Sequence, residues 1–203
     1  MLQETLTKCW KDAFDYSRDN KNGNRSSKRT DILNQRVVNL FEYALDQNIQ
    51  ATDEAKIDCA RGESFSIDLY FRELKTFVLI KSCESSYNKN RHNYTNTMAG
   101  ETQRIYGAAN KGAHNDHTTI FINFIPRTLP VKDGSGTIKK YEDVKYCHIE
   151  PDLKGHSQNV YVIDVPLDVE WGGIDYTSVE IDNKVALEIL TKIQGIFQEK
   201  HED

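Results

Sequence analysis

Residues 66–82 read SIDLYFRELKTFVLIKS, two short apolar runs separated by RELK at residues 72–75. β-branched and aromatic residues dominate both runs, and the polar residues between them leave room for a turn, so the stretch predicts a β-hairpin. Each run carries one charge. Asp68 sits inside Ile67-Asp68-Leu69, and Lys81 closes Phe77-Val78-Leu79-Ile80. An unpaired charge taken out of water is costly. Two opposite charges on neighbouring strands therefore either pair across the hairpin as a structural ion pair or serve one common site.

Outward from the hairpin, the periodicity changes. Leu2, Leu6, Cys9, Trp10, Ala13 and Phe14 recur at helical spacing, which predicts an amphipathic helix over 2–17. The segment DNKNGNRSSKR that follows has no apolar residue and reads as a polar loop. A second helix is expected to start near Thr30 or Asp31, both good caps, with Leu33, Val37, Leu40, Phe41 and Ala44 on its apolar face. Residues 51–60 form a connection that could include a short strand. After the hairpin, residues 83–97 are polar again, and a short helix is expected over 98–109. TTIFINFI at 118–125 reads as a buried central strand. Asp133-Gly134-Ser135-Gly136 marks a turn, and NVYVIDV at 159–165 marks another strand. Trp171-Gly172-Gly173 breaks the chain before a last helix over 183–200. This order predicts a single α/β domain over residues 1–203, a central mixed sheet flanked by helices. Within it, residues 1–30 hold the first helix and polar loop, a segment that could bind DNA or mediate dimerisation, and residues 31–203 hold the core.

Composition bounds the function classes. A chain of 203 residues can bury one proper core. It has no apolar run near the ~20 residues of a membrane span, and the start MLQETLTKCW lacks the pattern of a signal peptide, so a cytoplasmic protein is expected. Cys9, Cys59, Cys83 and Cys147 are scattered and form no zinc or disulfide framework. With 26 basic and 31 acidic residues the net charge is −5, which leaves no global basic footprint. Basic residues do gather locally, over 18–36 and over 81–111, as a basic cleft would require.

The order of helix, aspartate strand, lysine strand and buried strand resembles the PD-(D/E)XK nuclease superfamily, in particular type II restriction endonucleases. The resemblance covers about residues 30–125 and rests on IDLYF and VLIKS, preceded by NLFEYAL with Glu42. It implies a restriction-endonuclease-like fold and an Mg²⁺-dependent endonuclease cleaving double-stranded DNA at specific sites. Asp68 would bind the metal, Lys81 would orient the attacking water, and the protein would act as a homodimer without membrane contact. One position departs from the pattern. The second acid of the motif would fall two residues before Lys81, where this chain has Leu79. A relocated carboxylate could come from Glu101 in MAGETQRIYG, from Glu84 in KSCES, or from Glu42, with Glu101 preferred as the second metal ligand because a helix beside the sheet can point it back into the site. A structure-specific repair or mobile-element nuclease, and an inactive DNA-binding relative, are the alternatives.

Three literal matches are set aside. Glu73-Leu74-Lys75 matches ExK but falls where the hairpin turns. Pro151-Asp152 matches PD, yet no lysine follows at a strand end. His114, Asn115, Asp116 and His117 are expected in a solvated loop before a strand. The polar stretch SSYNKNRHNYTNT has the composition of a DNA-reading loop: Asn88, Lys89, Asn90, Arg91 and Asn93 could reach base edges and Tyr87 and Tyr94 the backbone, with Arg104 nearby on the following helix.

Overall fold

The computed structural model describes residues 1–20, 27–58, 64–83, 87–107, 113–135 and 137–198. Two long helices open the chain, α1 (Leu2–Asp19) and α2 (Ser27–Leu45), followed by strands β1 (Ala51–Asp58), β2 (Ser64–Phe71) and β3 (Thr76–Ser82). Helix α3 (Tyr87–Tyr106) then crosses to β4 (Thr118–Pro126). A small hairpin, β5 (Thr128–Lys132) and β6 (Ile138–Asp143), precedes the short helix α4 (Glu150–Lys154). The chain finishes with β7 (Val160–Gly172), β8 (Asp175–Glu180) and α5 (Asn183–Gln198).

Six strands form one mixed sheet in the order β1-β2-β3-β4-β7-β8. The three central strands β3, β4 and β7 run parallel, and the outer pairs are antiparallel. A parallel pair needs a crossover on one face of the sheet. Here α3 makes the crossover between β3 and β4. The carboxyl ends of all three central strands therefore face the same way, with the start of α3 beside them.

Alternation on these strands divides the core. Val78, Ile80, Ile120, Ile122, Ile163 and Val165 pack on the side of α1, α2 and α5. Phe77, Leu79, Phe121, Val160 and Val162 pack on the other side, with Met98 and Ile105 of α3 and Leu153 of α4. The continuous apolar runs at β3 and β4 follow from this arrangement, because both faces of a central parallel strand are covered. All nine residues of β4 are buried.

Helix α1 belongs to the first of these cores. Leu6, Cys9, Trp10 and Ala13 are fully buried, and the indole Nε1 of Trp10 donates to the carbonyl of Cys83, just after β3, at 2.7 Å. Helix α2 begins at Ser27, a few residues before the expected cap. The uncertain connection at 51–60 proves to be the edge strand β1 over Ala51–Asp58. The largest revision concerns residues 83–97. Where a polar loop is expected, Tyr87–Thr97 form the first half of the 20-residue helix α3. Its polar residues are exposed or half-buried. Tyr87 packs beneath them against Cys83, Ile125 and Leu129 and is the single buried side chain of the helix before Met98. No helix among the described residues is long and apolar enough to cross a membrane.

Candidate active site

Strand β2 loses its regularity at Asp68. Its ladder with β3 holds three pairs, from Phe71↔Thr76 to Leu69↔Val78, and goes no further. On the other side, the register with β1 passes from Asp53↔Leu69 to Ala55↔Ile67 and skips Glu54, whose φ is +48°. Ile67 and Leu69 should share a face by strand alternation. They end in opposite cores instead, so the strand rotates between them. Asp68 is the residue at the break.

Two contacts hold it there. The buried Asn34 of α2 donates from Nδ2 to the Asp68 carbonyl at 3.1 Å. The Asp68 carboxylate itself accepts the backbone N–H of Ile80 through Oδ2 at 2.7 Å. A side chain thus takes a ladder donor that β2 no longer reaches with its backbone, and the two strands splay around the carboxylate. Burial pushes the Asp68 carboxyl above its ordinary range, against the opposing pull of the Ile80 N–H and of Lys81. Glu54 adds a further upward push, which makes it a third acid near Asp68 that sequence reading missed.

Lys81 stands on β3 two residues past Leu79, on the face covered by α3. Its Nζ donates to Glu101 Oε1 at 2.9 Å. Both side chains are largely sequestered, 23% and 11% exposed respectively. Glu101 reaches this place because Met98, Glu101, Thr102 and Ile105 share the inward stripe of α3. Met98 and Ile105 pack in the same core as Leu79, and Glu101, one turn from each, is carried onto the sheet beside them. Burial raises the Glu101 carboxyl, Lys81 opposes that rise, and the charge of Asp68 adds to it. Its second oxygen, Oε2, is buried and has no hydrogen-bond partner among the described residues.

Asp68, Lys81 and Glu101 therefore come together. The other two acids do not join them. Glu42 accepts the backbone N–H of Ile49 at 3.2 Å and closes the end of α2. It lies eight residues beyond Asn34 on that helix, about 12 Å along its axis from the contact to Asp68. Glu84 falls outside the described residues. Leu79 is 1% exposed and belongs to the core.

The eight residues read as DNA contacts separate by their helical position. Lys89 and Asn93 are exposed and share a face of α3. Asn88 is committed elsewhere: its Nδ2 donates to the Asp143 carbonyl at 2.8 Å and its Oδ1 accepts the Lys145 N–H at 2.9 Å. This ties α3 to the segment after β6. Asn90 and Arg91 are half-buried. Tyr87 is buried and Tyr94 leans on it with centroids 5.2 Å apart, which makes both packing residues rather than backbone contacts. Arg104 lies over the Phe65 ring at 5.3 Å and lowers the Glu101 carboxyl slightly.

The set-aside motifs are separated from the site. Lys75 occupies a turn with φ +45° and pairs with Asp116, and Asp152 lies on α4. The segment at 114–117 is a loop, but His117 is not solvated: its ring stacks on Phe77 at 4.8 Å and its Nε2 meets the Tyr70 hydroxyl at 3.2 Å. It sits at the amino end of β4, the end opposite Lys81.

Two carboxylates are oxygen ligands of the kind that hard divalent ions such as Mg²⁺, Ca²⁺ or Mn²⁺ accept. Mg²⁺ is commonly held by one or two carboxylates, with water and substrate phosphates completing its shell. Asp68 and Glu101 could supply two such oxygens, and Oε2 of Glu101 is buried and unpartnered among the described residues. Among the described residues, no group of three or more His, Cys, Asp and Glu side chains gathers to hold a metal ion. Comparison with protein-family models, with curated proteins and with solved structures yields no match to this chain.

Proposed function

We propose that this protein is an Mg²⁺-dependent endonuclease that hydrolyses double-stranded DNA at specific sequences, in the manner of type II restriction enzymes, acting as a two-fold dimer. One observation carries the reading. At the splayed end of a hairpin, a lysine from one strand pairs with a glutamate from the crossover helix, a buried carboxylate on the neighbouring strand acts electrostatically on both, and that glutamate keeps a buried oxygen unpartnered.

Asp68 and Glu101 would hold the ion, which when bound neutralises phosphate charge and makes its water more acidic. The protein's own residues do the rest. The Ile80 N–H fixes the Asp68 carboxylate against the sheet. Glu101 holds the Lys81 ammonium at the strand end, where its remaining protons can orient the attacking water and the phosphate oxygen. The apolar residues Leu79, Met98 and Ile105 floor the site and keep bulk water from screening these charges. Lys89 and Asn93 on the outer face of α3 would meet the DNA backbone and base edges.

A second reading, an inactive DNA-binding relative, is favoured by the buried Leu79 at the position of the motif's usual acid. In that case Lys81 and Glu101 merely neutralise each other. Incubation of plasmid and linear DNA with Mg²⁺ decides between the two. Discrete, metal-dependent fragments are expected. A smear indicates a nuclease that reads structure rather than sequence, and uncut DNA at all metal concentrations rejects catalysis.

A further inference from the structure

Strand β4 contains one amide in its buried run, Asn123, 5% exposed between Ile122 and Phe124. A buried amide needs partners. The parallel registers place Lys81 beside Asn123 and Asn123 beside Asp164, one residue from each central strand. Because the strands are parallel and the residues are in register, all three side chains leave the sheet on the same face, the one covered by α3. Asn123 Nδ2 donates to Asp164 Oδ1 at 2.8 Å. A carboxylate can only accept, so this bond decides which way the amide is turned. With its nitrogen on Asp164, the amide carbonyl diverges from that carboxylate, and Lys81 stands on the other neighbouring strand.

Lys81 and Asn123 also share a small cavity of about 10 Å³, closed from above by Tyr87, Tyr94 and Met98. That is about the room one water molecule needs. Its lining is mixed: Lys81 and Asn123 bring polar groups, and Cys83, Ile125 and Met98 bring apolar ones.

We infer that Asn123 is a positioning residue of the site: held by Asp164, its carbonyl oxygen fixes a water molecule beside the Lys81 ammonium. Lys81 offers that water donors and Asn123 offers it an acceptor, so the two together set its orientation. Asp164 acts through Asn123 and touches neither the water nor Lys81. The inference rests on the endonuclease reading above.

The test compares Asn123→Ala, Asn123→Asp and Asp164→Ala with wild type and Lys81→Ala in Mg²⁺-dependent plasmid cleavage, with melting curves confirming that each variant is folded. Asn123→Ala should lower kcat by about 10–100-fold, the cost of misplacing a reacting group, with KM unchanged. Asp164→Ala should show a smaller loss in the same parameter. Asn123→Asp keeps the shape and guards against a folding failure of the alanine variant. Its carboxyl can mimic the amide only when one proton is shared with Asp164, so its activity relative to wild type should rise as the pH falls. Wild-type rates in Asn123→Ala, or an Asn123→Asp profile parallel to wild type, overturn the inference while leaving the endonuclease reading intact. A wild type as inactive as Lys81→Ala overturns the endonuclease reading, and this inference with it.

Discussion

Lys81 Nζ lies 2.9 Å from Glu101 Oε1, although the two residues are separated by twenty positions, the end of a strand and most of a helix. The contact is made where β3 ends and α3 returns across the sheet. On the proposed reading, it would replace from the helix side the acid that the strand itself lacks at Leu79.

Removal of Asp68, Lys81 or Glu101 should each abolish cleavage. Asp68→Ala, Lys81→Ala and Glu101→Gln are expected to lower kcat by at least about 100-fold, the scale of losing one aligned charge-stabilising group. DNA binding, measured by gel shift without metal, should survive, because it depends on phosphate contacts elsewhere. Near-normal cleavage by the Lys81 variant would remove the lysine from the chemistry.

Metal binding should stabilise the fold through the same carboxylates. An ion that binds only the native state at a hundred times its Kd adds about 2.7 kcal/mol. Wild type should therefore melt higher as Mg²⁺ is added, and Glu101→Gln should lose most of that gain. An equal gain in both proteins would place the ion elsewhere.

The pH dependence follows from the raised carboxyls of Asp68 and Glu101. Their folded pKa values lie above the unfolded ones, so the native state binds more protons between the two. Stability from this source is fully present below the ordinary carboxylate range and is lost as pH rises through the raised values. Activity runs the opposite way, since both groups must be ionised to hold Mg²⁺. Cleavage should therefore climb with pH above the ordinary carboxylate range, and metal-free thermal stability should fall over that same window. Glu101→Gln should flatten part of the stability change. A melting profile that rises with pH over the window in wild type would contradict the assignment.

Substitutions on α3 should separate by burial. Lys89→Ala should weaken binding to all DNA sequences alike and reduce the salt slope by about one. Asn93→Ala should relax preference at one base pair if its amide reads a base edge, at a cost of about 1–3 kcal/mol. Asn88→Ala should instead lower stability, because Asp143 and Lys145 lose their partner. Melting curves and binding to cognate and singly substituted DNA tell these apart.

Trp10 provides a control on the fold behind the site. Trp10→Phe keeps most of the packing but leaves the buried Cys83 carbonyl without its donor, which should cost about 1–3 kcal/mol. Trp10→Ala should cost about 3–5 kcal/mol. Denaturant midpoints measure both. A neutral Trp10→Phe would mean that another donor replaces the indole.

Some of this molecule is legible in the chain alone. The 3.6-residue stripes of α1, α2 and α5, and the unbroken apolar runs of β3 and β4, are local consequences of which faces must be buried. They determine a mixed α/β sheet, and they bring Asp68 and Lys81 into one hairpin. The polar first half of α3 carries too few apolar residues to announce a helix, and it forms one because Tyr87 and Tyr94 pack past the carboxyl ends of the central strands β3 and β4. Glu101 could be suspected from its place between Met98 and Ile105, but only the crossover that lays α3 over Leu79 decides that it, and not Glu42, meets Lys81. The break in β2 at Asp68, the nearness of Glu54, and the Lys81–Asn123–Asp164 row depend on registers between strands far apart in sequence. Periodicity describes which side a residue faces along its own strand. It carries no information about which residue of another strand stands beside it, and in this protein that neighbour relation assembles the site.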